Sequence, residues 1–249
     1  MIQKLNWVIC GIVITLVKVR GGNMEEYTHI EILIEDRSGG ILVEQIMNKY
    51  VMDKDNITYR IHSFKGIGKI PLNVKSMSQV KTQRLLTDLP MYLKGMSLSL
   101  EKMPGKKAIC VILDSDDEDC VKLKTDLVQM YLTLQVSIQA YFCLAIEEME
   151  AWLLGDSEAL LKAYPMAKRP LLQRYIQDSI VGTWEYLADI IYKGGLQTLK
   201  RNASSYHEIG MFKCECAKNI GKWLDIRNNE SKSFNYFIEK LDDFCGNST

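Results

Sequence analysis

Apolar and polar positions along the chain alternate between a period of two and a period near 3.6. His29-Ile30-Glu31-Ile32-Leu33-Ile34-Glu35 is a short β-rich run. Ile41, Leu42, Ile46, Met47 and Tyr50 then recur at helical spacing, so the two predict a first strand–helix unit. Residues 57–63 form a second β-rich run. It is followed by the loop Lys65-Gly66-Ile67-Gly68-Lys69 and a helical pattern over about 78–100. Ala108-Ile109-Cys110-Val111-Ile112-Leu113 is continuously apolar, which suits a strand covered on both faces. A helix is predicted over 117–134 and a fourth strand over 139–146. Beyond Glu147 the pattern yields helices only, at 148–154, 157–163, 170–177, 183–192, 208–224 and 233–244.

Parallel neighbours need crossover connections, and four strands separated mostly by helices supply them. The expected class is therefore α/β, TOPRIM-like or Rossmann-like in layout. It would be a mainly parallel four-stranded sheet over 24–156, with a C-terminal helical part, 157–249, packed on it as one unit.

Residues 1–23 differ from the rest. Trp7 to Val17 is apolar but too short to cross a bilayer. The basic and glycine residues behind it do not form a signal-peptide cleavage site. Arg20-Gly21-Gly22-Asn23-Met24 is what a purine-rich ribosome-binding site would encode if translated, so the native start is expected at Met24, with 1–23 an upstream extension or disordered.

Lys+Arg and Asp+Glu both number 31, and zero net charge excludes a uniformly basic nucleic-acid coat. Any such contact would have to come from local clusters such as Lys193, Lys200, Arg201, Lys213 and Lys218. The seven cysteines are odd in number and contain no C-x-x-C pair, which reads as reduced thiols in a cytoplasmic protein. Cys214-x-Cys216 with His207 lacks a fourth zinc ligand.

Candidate chemistry lies at the strand ends, because ligands of open α/β sheets bind beyond the carboxyl ends of the strands. Glu35 ends the first strand, Asp114 and Asp116 the third, and Glu147, Glu148 and Glu150 follow the fourth. In extended geometry Asp114 and Asp116 project to one side, where two carboxylates repel unless a cation lies between them. Hard cations such as Mg²⁺ take oxygen ligands of this kind. Glu35 joins them only if the first and third strands are neighbours, as in a 2-1-3-4 order. The competing reading makes Asp116 or Asp117 a helix N-cap, with Glu118 and Asp119 complementing the helix dipole. Asp117, Glu118 and Asp119 are better explained that way. Lys65-Gly66-Ile67-Gly68-Lys69 matches no nucleotide-binding fingerprint. Gly182-Thr183-Trp184-Glu185 reads as a helix start with Trp184 as a core anchor, Asn228 to Phe234 as a polar loop and cap, and His62 as a satisfied strand residue.

Taken together, Leu33-Ile34-Glu35-Asp36-Arg37-Ser38, Leu113-Asp114-Ser115-Asp116-Asp117-Glu118, Ile146-Glu147-Glu148-Met149-Glu150-Ala151-Trp152 and Gly182-Thr183-Trp184-Glu185 resemble a bacterial family catalogued as domain of unknown function 4276. That family is TOPRIM-like and related to the TOPRIM domains of overcoming-lysogenization-defect nucleases. The resemblance implies a metal-dependent nuclease acting on phosphodiesters, with Mg²⁺ or Mn²⁺ held by Glu35, Asp114 and Asp116. It implies a second metal helped by Glu148 and Glu150, with Glu147 in reserve, and a lysine completing the site, for which Lys65 is the candidate. It further implies a partner ATPase encoded nearby and a role in antiphage defence. The alternative is a non-catalytic module of the same fold that binds or regulates an ATPase or nucleic acid. One departure is that TOPRIM domains follow the glutamate with glycine, whereas Asp36-Arg37 follows here.

Overall fold

The structure is a computed structural model and describes residues 4–9, 12–17, 27–71, 81–179 and 182–246. In the N-terminal segment the backbones of β1 (Lys4–Ile9) and β2 (Ile12–Val17) pair as an antiparallel ribbon, separate from the main sheet. The remaining residues of 1–23, and Met24 itself, lie outside the described residues.

The main sheet contains β3 (Thr28–Ile34), β4 (Ile57–Ser63), β5 (Lys106–Asp114) and β6 (Gln139–Ala145), in the order β4-β3-β5-β6, with every pair parallel. Counted along the chain this is the expected 2-1-3-4 order, with the first and third strands adjacent. The register aligns Ile34 with Ile112 and Asp114 with Ala145. The carboxyl ends of β3, β5 and β6 therefore finish on one rim.

Apolar residues cover both faces of the sheet. Ile30, Ile32, Ile34, Cys110 and Ile112 face a core shared with α1 (Arg37–Tyr50) and the C-terminal helices. Leu33, Ile109, Val111 and Leu113 face α2 (Leu85–Leu100) and α3 (Cys120–Leu134). This two-sided burial explains why the third strand reads as an unbroken apolar run. The C-terminal part comprises α4 (Glu150–Leu154), α5 (Ser157–Ala163), α6 (Arg169–Leu172), α7 (Thr183–Ile191), α8 (Gly195–Asn202), α9 (Tyr206–Gly221) and α10 (Lys232–Cys245). Its anchor is Trp152, fully buried, stacked on Phe237 at 5.5 Å and edge-on to Phe234 at 5.5 Å. The indole N–H donates to Ser233 Oγ at 2.9 Å, so its polar atom is satisfied. The supposed polar loop before α10 belongs to the same network: buried Asn229 donates to the Trp152 carbonyl, and Ser231 caps α10.

Several helix limits differ from the periodic pattern. α2 starts at Leu85 rather than near residue 78. Gln83 takes a left-handed φ of 63°, and the Asp88 carboxylate accepts the N–H groups of Thr82 and Gln83, which ends the preceding chain in a turn. α3 starts at Cys120 with Asp119 as its N-cap, not Asp116 or Asp117. α6 stops after four residues, and α8 is a short amphipathic helix absent from the predicted set. No helix among the described residues is long and apolar enough to cross a membrane.

Candidate active site at the carboxyl rim of the sheet

Glu35 follows β3 directly, and the peptide N–H of Asp114, the last residue of β5, approaches its Oε2 at 3.4 Å. Asp36 then closes off the strand. Its carboxylate accepts the Gly39 N–H at 2.7 Å and the Ser38 hydroxyl at 2.6 Å, capping α1. The glycine usual at this turn is not required, because Asp36 lies in extended backbone. Glycine is needed one turn later, where a Cβ on Gly40 would lie 2.2 Å from Ser63 Oγ.

The loops after β5 and β6 are zipped together. Ser115 N–H donates to the Ala145 carbonyl at 3.0 Å, Asp116 N–H to the Glu147 carbonyl at 2.8 Å, and Glu147 N–H to Ser115 Oγ at 2.8 Å. Asp116 and Glu147 both take left-handed φ, 45° and 63°. For residues other than glycine this costs on the order of 1–3 kcal/mol each, held by the surrounding bonds. Strand alternation therefore does not place Asp116, since β5 has ended and a left-handed turn positions its carboxylate instead.

Asp114 is half-buried, and its Oδ1 accepts the Met149 N–H at 3.0 Å just ahead of α4. Glu150 enters from the first turn of α4 and is also buried. Glu148 Oε2 accepts the Trp184 peptide N–H at 2.8 Å, at the N-terminus of α7. Glu147 turns elsewhere: its Oε2 accepts the Thr183 hydroxyl at 3.1 Å. The Gly-Thr-Trp-Glu piece thus holds the Glu-Glu pair, and Trp184 is half-buried rather than the expected core anchor.

The cation at this rim is Lys213, from the middle of α9. Its Nζ lies 3.3 Å from Glu150 Oε2 and 4.0 Å from Glu148 Oε1. Lys65 stays on the surface and makes no ion pair among the described residues. Its loop is a structural one. Lys65 N–H donates to the Gln83 carbonyl and Gly66 N–H to the Glu35 carbonyl, so those amides are already used.

The electrostatics follow from this crowding. Burial raises the Glu35 carboxyl to about 7, with further push from Asp116 and Asp36 against the Asp114 N–H and Lys213. Burial, then Glu35 and Glu150, holds Asp114 well above the usual carboxylate range. Burial and Glu150 raise Glu148 to about 7. Burial also raises Glu150 and Asp116, opposed in each case by Lys213. Burial alone would lower Lys213, but Glu150, Glu148, Asp114 and Asp36 outweigh it and hold the ammonium firmly protonated.

A metal can be weighed against this arrangement. The donors are all hard carboxylate oxygens, and a single ammonium leaves Glu35 and Asp114 repelling each other, which suits Mg²⁺. The buried Glu150 Oε2 has Lys213 as its ion-pair partner but no well-formed hydrogen bond. Yet no three His, Cys, Asp or Glu side chains among the described residues stand ready as a ligand set. Cys214, Cys216 and His207 form none either.

Fold and site together define an α/β protein with a buried acidic cluster on the carboxyl rim of a parallel sheet. No protein-family model, curated protein or solved structure matches the chain.

Proposed function

We propose that the protein is a metal-dependent phosphodiester hydrolase of nuclease type, with Glu35, Asp114 and Asp116 as the residues that would hold Mg²⁺ or Mn²⁺. The observation that carries the reading is the meeting of Glu35 and Asp114 at adjacent strand ends, where the Asp114 N–H approaches Glu35 Oε2 at 3.4 Å and the half-buried carboxyls crowd together with more negative charge than Lys213 offsets. A bound divalent ion would supply Lewis-acid stabilisation of the phosphoryl oxygens and activation of water. Glu148 and Glu150 would extend the acidic surface to a second ion. Lys213, placed against both, is the residue able to hold a phosphate oxygen or to keep the cluster folded when no divalent ion is present. The link to a partner ATPase and to antiphage defence comes from the family resemblance alone.

A non-catalytic reading is favoured by two observations: Lys213 already pairs with Glu150 and Glu148, and among the described residues no three ligands converge. In that case the rim is a structural ion-pair cluster and the protein a binding module. Cleavage of labelled DNA and RNA with Mg²⁺ or Mn²⁺, with and without the ATPase, separates the two. Wild type is expected to cut, and Asp114→Ala and Glu35→Ala to fall to background. Equal activity in all three overturns the assignment of the site, and no cutting by wild type under any condition favours the binding module.

A further inference from the structure

A groove of about 760 Å³ opens beside the carboxylates, and Lys213 is among its lining residues. Two aromatic side chains line it as well. Trp184 is half-buried and tied to Glu148 through its backbone. Tyr206, the first residue of α9, is 97% exposed. Lys200 stands over the Trp184 ring, 5.4 Å from its centroid, and 3.6 Å from Glu185 Oε1. The other carboxylate oxygen, Glu185 Oε2, is buried with no hydrogen-bond partner.

An aromatic ring left almost entirely in water gains nothing from the fold. Beside a second ring and a lysine, it offers what a single nucleic-acid strand takes up: π-faces for unpaired bases and cations for phosphates. A duplex keeps its base faces stacked and cannot use such rings. We infer that this groove binds single-stranded nucleic acid, with bases stacking on Trp184 and Tyr206, the backbone drawn by Lys200, and the strand led toward Lys213 and the carboxylates. The inference rests on the hydrolase reading for its direction, but the groove can be tested without cleavage.

The measurement is fluorescence anisotropy of a labelled single-stranded oligodeoxynucleotide of about 12 nucleotides, in EDTA, against the matched duplex and a nucleoside monophosphate as competitor. Tyr206→Ala is expected to weaken single-strand binding about 5- to 150-fold, and Tyr206→Phe to leave it within about twofold, since the phenyl face still stacks. Tyr206 is exposed, so neither change threatens folding. Lys200→Ala is expected to reduce the salt slope by about 0.7. The inference is overturned if the oligonucleotide does not bind, or if Tyr206→Ala and Trp184→Ala bind as wild type. Duplex binding as tight as single-strand binding, or displacement by equimolar monophosphate, would also overturn it. Tyr206-dependent binding without any metal-dependent cleavage would retain the groove and remove the hydrolase. Cleavage indifferent to Tyr206 would do the reverse.

Discussion

Glu31 and Glu35 lie four residues apart, one in β3 and one just past its end, and both are largely withdrawn from water, yet their protonation is driven in opposite directions. Burial by itself raises both. At Glu31, hydrogen bonds from His29 at 3.3 Å and His62 at 2.5 Å outweigh burial and bring the carboxyl down to about 2. At Glu35 the next neighbours are Asp116 and Asp36, and the carboxyl climbs to about 7. The first is a structural carboxylate on β3 satisfied by two histidines, with His62 reaching over from the edge strand β4, as expected for that residue. The second is a carboxyl crowded by like charges on the rim. Burial raises a carboxyl in either place, so the partner decides whether the site is finished, as at Glu31, or crowded by like charge, as at Glu35.

The sharpest way to break the contrast is to remove the cation the rim already has. Lys213→Met leaves buried carboxylates unpaired and is expected to lower unfolding stability at pH 8 by about 3–5 kcal/mol. The loss should shrink below pH 5, where the raised carboxyls hold protons. Urea denaturation at both pH values checks this, and an equal loss at both would mean that Lys213 acts through packing alone.

Glu35→Gln works in the other direction. Its folded pKa lies above the ordinary value of 4.5, so between about 4.5 and 7 the native state binds the extra proton and stability falls as pH rises. The amide removes that penalty. The variant is expected to gain up to about 3 kcal/mol at pH 8 and nothing at pH 4, read as the difference in Tm at the two values. A loss of stability at pH 8 would contradict the raised pKa.

Mg²⁺ should offset the same repulsion in the wild type. At a hundredfold excess over its Kd it would add about 2.7 kcal/mol of stability at pH 8. The Glu35→Gln, Asp114→Asn double variant should show no such thermal shift.

The smallest effect is expected at the finished site. Glu31→Gln should cost about 1–2 kcal/mol at pH 7 by loss of charged hydrogen bonds. Because the folded pKa is depressed, that contribution is present above about 4.5 and disappears as pH falls through about 2. Wild type and variant should therefore converge in acid denaturation.

The strands were legible because β3 and β4 are β-rich and β5 and β6 largely apolar, and the crossovers between them imply parallel pairing, whereas the adjacency of β3 and β5 was only a condition that the sheet order meets. Glu35, Asp114 and Glu150 could be nominated because they stand at or soon after strand ends. Lys213 was legible only as one surface base among several. The signal that could have found it is its place in α9: Cys216, Ala217 and Ile220 form the buried stripe, and Lys213 lies three and four residues before the first two, on that same face. A lysine on an apolar stripe must have buried partners. Asp116 is near enough to Glu35 to push its carboxyl up, but strand alternation does not bring it there: its left-handed turn depends on a backbone bond to Glu147 that no local pattern encodes. The division of labour between Glu147 and Glu148 was likewise invisible, because it is set by Thr183 and Trp184 far along the chain.

The bonds joining Ser115 and Asp116 to Ala145 and Glu147 also constrain how the chain could change in length. The two loops meet residue against residue, so an insertion in either one alone would shift its partner's contacts and carry a carboxylate out of place. Natural length variation is accordingly expected to spare this pair and to accumulate at the opposite end of the sheet, where the turn between α3 and β6 joins helix to strand without holding any part of the rim.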